Sequence, residues 1–157
     1  MRVIFSANSN MYKVDAESMI AVYGDFIEGT GDEITCLISA NPLSDAALNA
    51  LAKSLAALGY GMRGSARVVL HTTDGASLGP ADLMSIMEGL DPVIGVAADE
   101  ESAALLGQAY RCPVELDASN RVMGRTIVAF QSFEQMLDSP EHKQRAWALL
   151  KKIPRLG

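Results

Sequence analysis

Few side chains in this 157-residue sequence are suited to chemistry, and those few fall at the ends of apolar runs. The run "ARVVLH" closes on His71 and is followed by Thr72, Thr73 and Asp74. An imidazole beside a carboxylate is the simplest acid–base pair a protein can offer. A strand-end histidine satisfied by its neighbours is the competing reading. Three carboxylates in a row, Asp99, Glu100 and Glu101, follow the run "VIGVA". They have the composition of a catalytic cluster, but acids at a helix start also serve as N-cap and as partners of the helix dipole. Asn41 after "ITCLIS", and Gln131 and Ser132 after "TIVAF", complete the polar set. Asn41, His71, Thr72, Asp74, Asp99, Gln131 and Ser132 are therefore the candidate ligand-contacting residues. None is assigned a catalytic role, and neither a metal nor a cofactor is expected.

The elements that must hold these residues alternate along the chain. "ITCLIS" (34–39), "ARVVLH" (66–71), "VIGVA" (93–97) and "TIVAF" (126–130) are apolar throughout, as strands covered on both faces are. Between the first two lies "SDAALNALAKSLAALG", with Ser44 as N-cap, Leu48, Leu51, Leu55 and Leu58 at helical spacing, and Gly59 closing the helix. "GPADLMSIMEGLDP" places Leu83, Met84, Ile86 and Met87 on a short helix ended by Pro92, the methionines as core fillers. A third helix starts at Asp99. The last has Ser139 as N-cap, Pro140 at its first position and an apolar stripe of Ala146, Trp147, Leu149, Leu150 and Ile153. Residues 1–30 are the least readable: "RVIFSA" suggests an edge strand and "DAESMIAVYGDFIEG" an amphipathic helix. Strands alternating with helices call for an α/β fold, a parallel sheet with helices on both faces. Right-handed crossovers then gather every strand C-terminus, and the seven candidates with them, on one edge of the sheet.

Composition narrows the class. With 49% hydrophobic and 20% charged residues, residues 1–157 suit a single globular domain. No run of about 18 apolar residues is present, so no spanning helix is expected. The opening "MRVIFSANSN" does not read as a signal peptide, and a cytoplasmic location is the default expectation. Cys36 and Cys112 are too few for a disulfide framework or a four-cysteine metal site, and Cys36 reads as a small buried side chain. The net charge is −6, distributed unevenly. Residues 143–157 carry Lys143, Arg145, Lys151, Lys152 and Arg155 and no acid, leaving eight basic against 19 acidic residues in 1–142. An acidic body repels a phosphate backbone, so DNA binding is expected to be weak or absent. The basic stretch reads as the solvated face of a helix with a favourable C-terminal charge. "GYGMRGSA" (59–66) lacks the lysine and hydroxyl of a phosphate loop and precedes a strand. There is no nucleophile elbow and no histidine pair at metal spacing; His142 reads as a solvated first-turn residue.

Two segments resemble the uracil-DNA glycosylase superfamily, in particular its small iron–sulfur branch of bacteria and archaea. In "LDPVIGVAADEESAALLG" (90–107), Leu90, Pro92, Ala103, Leu105, Leu106 and Gly107 fall at the family's spacing. In "GRTIVAFQSFEQMLDSPEHKQRAWALLKKI" (124–153), Gly124, Arg125, Leu137, Pro140, Lys143, Ala146, Trp147 and Leu150 do the same. "ISANPLSDAALNALAKSLAALGY" is more weakly like the family's first strand, Ala-Pro loop and following helix. The matches cover about two thirds of the chain. They imply a three-layer sandwich on a four-stranded, all-parallel sheet of order 2-1-3-4.

The functional positions of the family are not kept. Its histidine, which stabilises the uracil anion, falls on Ser132, and the proline after it on Phe133. Serine supplies neither the donor strength nor the charge of an imidazole. The branch's acidic residue falls near Ala40, beside Pro42. Leu43 runs directly into Ser44 where the family has a glycine-rich segment with a base-stacking aromatic. The uracil-reading asparagine has no counterpart among His71, Thr72 and Thr73, and the four cluster cysteines are missing. The resemblance therefore implies a glycosylase-like domain without uracil excision, in a binding or regulatory role, with a small-molecule or nucleobase ligand and self-association as expected partners. The alternative is an enzyme for a nucleobase, nucleotide or other small molecule at the same sheet edge, using Asn41, His71, Asp74, Asp99 and Gln131. A doubly wound domain unrelated to glycosylases is the third reading.

Overall fold

The computed structural model describes residues 9–156, with side chains from Asp15 onward. In chain order the elements are α1 (Ser9–Val22), β1 (Ile27–Glu28), β2 (Thr35–Ser39), α2 (Asp45–Ala57), β3 (Ser65–Val69), α3 (Pro80–Leu90), β4 (Ile94–Ala97), α4 (Glu100–Tyr110), β5 (Ala118–Val122), β6 (Arg125–Ala129), a 3-10 turn (Gln135–Leu137) and α5 (Pro140–Leu150).

The strands make one six-stranded mixed sheet in the order β1-β3-β2-β4-β6-β5. β2 pairs in parallel with β3 and β4, and β4 with β6. β1 runs antiparallel on β3, and β5 antiparallel on β6. The expected sheet of four parallel strands is corrected on this point: the four apolar runs form its interior, and a short antiparallel strand closes each edge. Both edge strands lack a continuous apolar run for a physical reason. β5, "ASNRV", alternates exposed and part-buried residues because one of its faces meets water. It reverses into β6 through Met123 and Gly124, both at positive φ (48° and 80°), the backbone of a two-residue hairpin turn. β1 has only two residues. "RVIFSA" lies outside the described residues. The expected helix over 15–29 is also corrected: α1 begins at Ser9 and ends at Val22, after which the Phe26 N–H donates to Tyr23 O and the Val69 N–H to Phe26 O.

Side chains of the inner strands alternate between two cores. Cys36, Ile38, Val68, Ala97 and Ile127 face α1, α3 and α4. Leu37, Val96 and Val128 face α2 and α5. The molecule is thus an α/β sandwich of three layers. Burial raises the Cys36 thiol to about 12, so this cysteine acts as a small apolar residue. The second helical layer is narrower than the first. It leaves one face of β3 open, where Arg67 stands exposed and pairs with Glu28.

Helix boundaries follow their caps. Ser44 Oγ accepts from the Ala47 N–H (3.1 Å), and Ser139 Oγ from the His142 N–H (3.2 Å). In α3 the buried stripe is Leu83, Ile86, Met87 and Leu90, while Met84 is 38% exposed. Met84 is therefore no core filler: it sits one position off the stripe and turns toward solvent. His142 is half-buried with Nδ1 2.5 Å from Asp138 Oδ1, rather than simply solvated. Trp147 is half-buried under the Lys151 ammonium, which lies 5.8 Å from the ring centroid.

Two long-range anchors complete the framework. The Arg125 guanidinium, 8% exposed, donates to Glu88, Asp91 and the Pro92 carbonyl (2.7, 2.8 and 2.9 Å), tying the start of β6 to the end of α3. The chain after α5 folds back on α2. Tyr60 Oη donates to Pro154 O (2.5 Å), the Leu156 N–H to Leu58 O (2.9 Å) and Arg155 to Ala57 O (3.0 Å).

Candidate functional site

β2 and β4 are neighbours in the sheet, yet their following helices, α2 and α4, pack on opposite faces. That reversal makes their C-terminal ends the place where an open α/β sheet usually holds a ligand. Here Asp99 ties the end of β2 to the start of α4. Its Oδ1 accepts from the Ser102 N–H (2.9 Å), capping α4, and its Oδ2 accepts from the Ala40 N–H at the end of β2 (2.8 Å). Ser102 returns a hydroxyl bond to the Asp99 carbonyl (3.0 Å). Ser132, from the loop after β6, forms a backbone bridge with Asp99, and its Oγ accepts from the Gln135 N–H (3.3 Å). Phe133 points inward from the same loop and packs edge-on against Phe130, ring centroids 5.1 Å apart.

The remaining candidates lie around Asp99. Asn41 is exposed, and its carbonyl accepts from Ser39 Oγ (2.7 Å). Gln131 is exposed too; its N–H donates to Asp117 (3.3 Å) and its carbonyl accepts from the Glu100 N–H (3.0 Å). Thr72 and Asp74 face each other in the turn after His71. The hydroxyl of Thr72 and the N–H of Ala76 hold the Asp74 carboxyl below the usual aspartate range. Of the seven candidates, Asp99 meets Ser132 and Thr72 meets Asp74. Asn41 and Gln131 join neither pair.

His71 has other partners. Its Nδ1 lies 2.7 Å from Ser77 Oγ, and its Nε2 is paired with Glu101. A serine, an imidazole and a carboxylate in line are the elements of an activated nucleophile. None of the four cavities described below is lined by these three residues. α4's Glu100 and Ser102 N–H groups, otherwise available to a developing oxyanion, are already bound to Gln131 O and Asp99. Ser77 carried no signal in the sequence, since only the turn at Thr72–Ala76 brings it back beside His71. Glu134 was likewise unreadable: it reaches α2, accepting from Ser44 Oγ (2.6 Å) and the Ser44 N–H (2.7 Å).

Cavities open both at this sheet edge, beside the ends of β2 and β3, and away from it. One of about 430 Å³ is bounded by Phe26, Leu37, Ser39, Leu43, Asp45 and Val69, and one of about 490 Å³ continues from it past Leu48 and Lys53. A third, about 440 Å³, lies by Gly107 and Cys112, and a fourth, about 390 Å³, separates α2 from Trp147 on α5. None of these four is lined by any of the seven candidates. Among the described residues no group of three or more His, Cys, Asp or Glu side chains is placed to hold a metal ion. Among the same residues no helix is long and apolar enough to cross a membrane.

The class this defines is an α/β sandwich in which Asp99 ties the end of β2 to the start of α4, while a cavity opens beside the ends of β2 and β3. Compared with models of known families the chain matches none, and it matches no curated protein either.

Proposed function

We propose that this is a uracil-DNA glycosylase-like domain that does not excise uracil and works by binding. The observation that carries the reading is that Asp99 is taken up by structural bonds to Ala40 and Ser102. Flipping a base out of a duplex costs a few kcal/mol and requires a fitted pocket to receive it. At the corresponding edge of this chain, Asp99 is bonded to Ala40 and Ser102, and Ser132 occupies the position where the family pattern has its histidine. The residues shared with the family pattern do structural work instead. Leu90, Pro92, Ala103, Leu106, Ala146 and Leu150 are buried, and Arg125 anchors α3. The parallel run β3-β2-β4-β6 inside the six-stranded mixed sheet supports the same kinship.

The test is uracil release from single- and double-stranded DNA at enzyme excess. No release is expected; turnover that Ser132→Ala or Asn41→Ala abolishes would overturn the reading. The Ser77–His71–Glu101 chain favours a second one, an enzyme for a small molecule at the same edge. A thermal-shift series with bases, nucleotides and short DNAs separates the two, because a ligand that binds the folded state raises its melting temperature. In the second reading that shift is lost in His71→Ala; in the first it is retained.

A further inference from the structure

In "SDAALNALAKSLAALG" only two residues are charged, Asp45 and Lys53, and the exposed face of α2 is filled with alanines, among them Ala46, Ala52 and Ala56. A solvated helix normally carries polar residues on that face. α2 also stands as a ridge between two depressions. Asn49 and Lys53 line the cavity on the β3 side and the cavity on the α5 side alike. On the β3 side the two cavities share Leu37, Leu48 and Arg67, so they run together as one groove floored by apolar side chains. One end of that groove is acidic, with Asp25, Glu28 and Asp45; Lys53 lies toward the other, and Arg67 between them is paired with Glu28.

We propose that the chain forms a two-fold dimer in which α2 of each copy lies in the groove beside α2 of the other. A ridge flanked by a groove is self-complementary under a two-fold axis, because each copy supplies the shape the other lacks. The charges have the same symmetry. Asp45, Asn49 and Lys53 form one i, i+4 row, with about 12 Å of helix rise from first to last. An axis through Asn49 sets Asp45 against the partner's Lys53, and Lys53 against the partner's Asp45. It also places Lys53 of each copy toward the acidic end of the opposite groove. Rows of i, i+4 residues are the ridges that interdigitate when helices cross at about −50°, and the alanines allow the two backbones a close approach. A second copy is the occupant that matches both the shape and the charge order.

Sedimentation equilibrium on the full chain tests this. The wild type is expected near twice its 16.7 kDa. Asp45→Lys and Lys53→Asp each set like charges against one another twice per dimer, and each is expected to weaken association roughly tenfold. An equimolar mixture of the two variants restores both opposite-charge pairs in the mixed dimer, and its association returns toward the wild-type value. Asn49→Asp, which puts two carboxylates on the axis, is expected to dissociate the dimer without touching either pair. Circular dichroism identifies any variant that fails to fold. A wild type that stays monomeric at the highest attainable concentration overturns the proposal. So does a dimer indifferent to all three substitutions, or a mixture that associates no better than its components.

Discussion

Replacing Asp99 by alanine orphans two backbone donors at once, the N–H of Ala40 and that of Ser102, both on buried residues. Loss of a cap costs about 1 kcal/mol, and an unsatisfied buried donor a further 1–3 kcal/mol. Asp99→Ala is therefore expected to lower stability by about 2–4 kcal/mol. Asp99→Asn keeps one acceptor oxygen and is expected to lose roughly half as much. Urea unfolding checks both, as a midpoint shift at unchanged slope. A catalytic carboxylate gives the opposite pattern, with Asn neutral or stabilising because function and stability compete at such positions. The cap was readable in the sequence, since an aspartate followed by two glutamates and an alanine-rich stretch is a helix start. The bond to Ala40 was not, because it spans 59 residues and depends on β2 and β4 being neighbours. The same applies to His71: a strand-end histidine satisfied by its neighbours was the favoured reading, but the sequence could not name Ser77 and Glu101 as the partners.

Elements were legible in proportion to their burial. β2, β4 and β6 are buried along their whole lengths and so read as continuous apolar runs. β5 and β1 are edges, half in water, and their composition merges with that of loops. The two-residue turn at Met123–Gly124 was the one signal that could have exposed the β5–β6 hairpin. α1 was misjudged because its boundaries depend on what it packs against. It lies on α3, where a Cβ on Gly89 would come within 2.1 Å of Met19 Cγ. Helix propensity alone makes Gly89→Ala stabilising by about 1 kcal/mol. Overpacking of this kind costs about 1–3 kcal/mol, so a net loss is expected, together with faster amide exchange in α1. A gain in stability with unchanged exchange would mean that α1 does not sit this closely on α3.

The whole molecule's response to acid follows from carboxylates tied into the fold. Burial works to raise the Glu33 carboxyl, but hydrogen bonds from the Thr30 and Gly31 N–H groups and the Thr30 hydroxyl outweigh it and hold it below the usual range. Burial also opposes the Glu88 charge, and there the Tyr110 hydroxyl and the Arg125 guanidinium prevail. A carboxyl with a lowered folded pKa stabilises the fold above its unfolded value, about 4.3 for glutamate. That contribution disappears as the pH falls through the folded value. The melting temperature is therefore expected to decline below about pH 4.5, and less steeply in Glu88→Gln. An acid limb identical in the two proteins would remove Glu88 from the account. Size and symmetry bear on the α2 face, and timing bears on its far end. The carbonyls of Ser54 to Ala56 are satisfied locally by Leu58, Gly59 and Tyr60, but those of Ala57 and Leu58 accept from Arg155 and Leu156, and Ala57 and Arg155 are 98 residues apart. At about 5–20 residues per second, roughly 5–20 seconds of translation pass before those partners exist. A nascent chain thus holds α2 with its local cap made and its last two carbonyls waiting, until a late-made segment returns to an early-made helix.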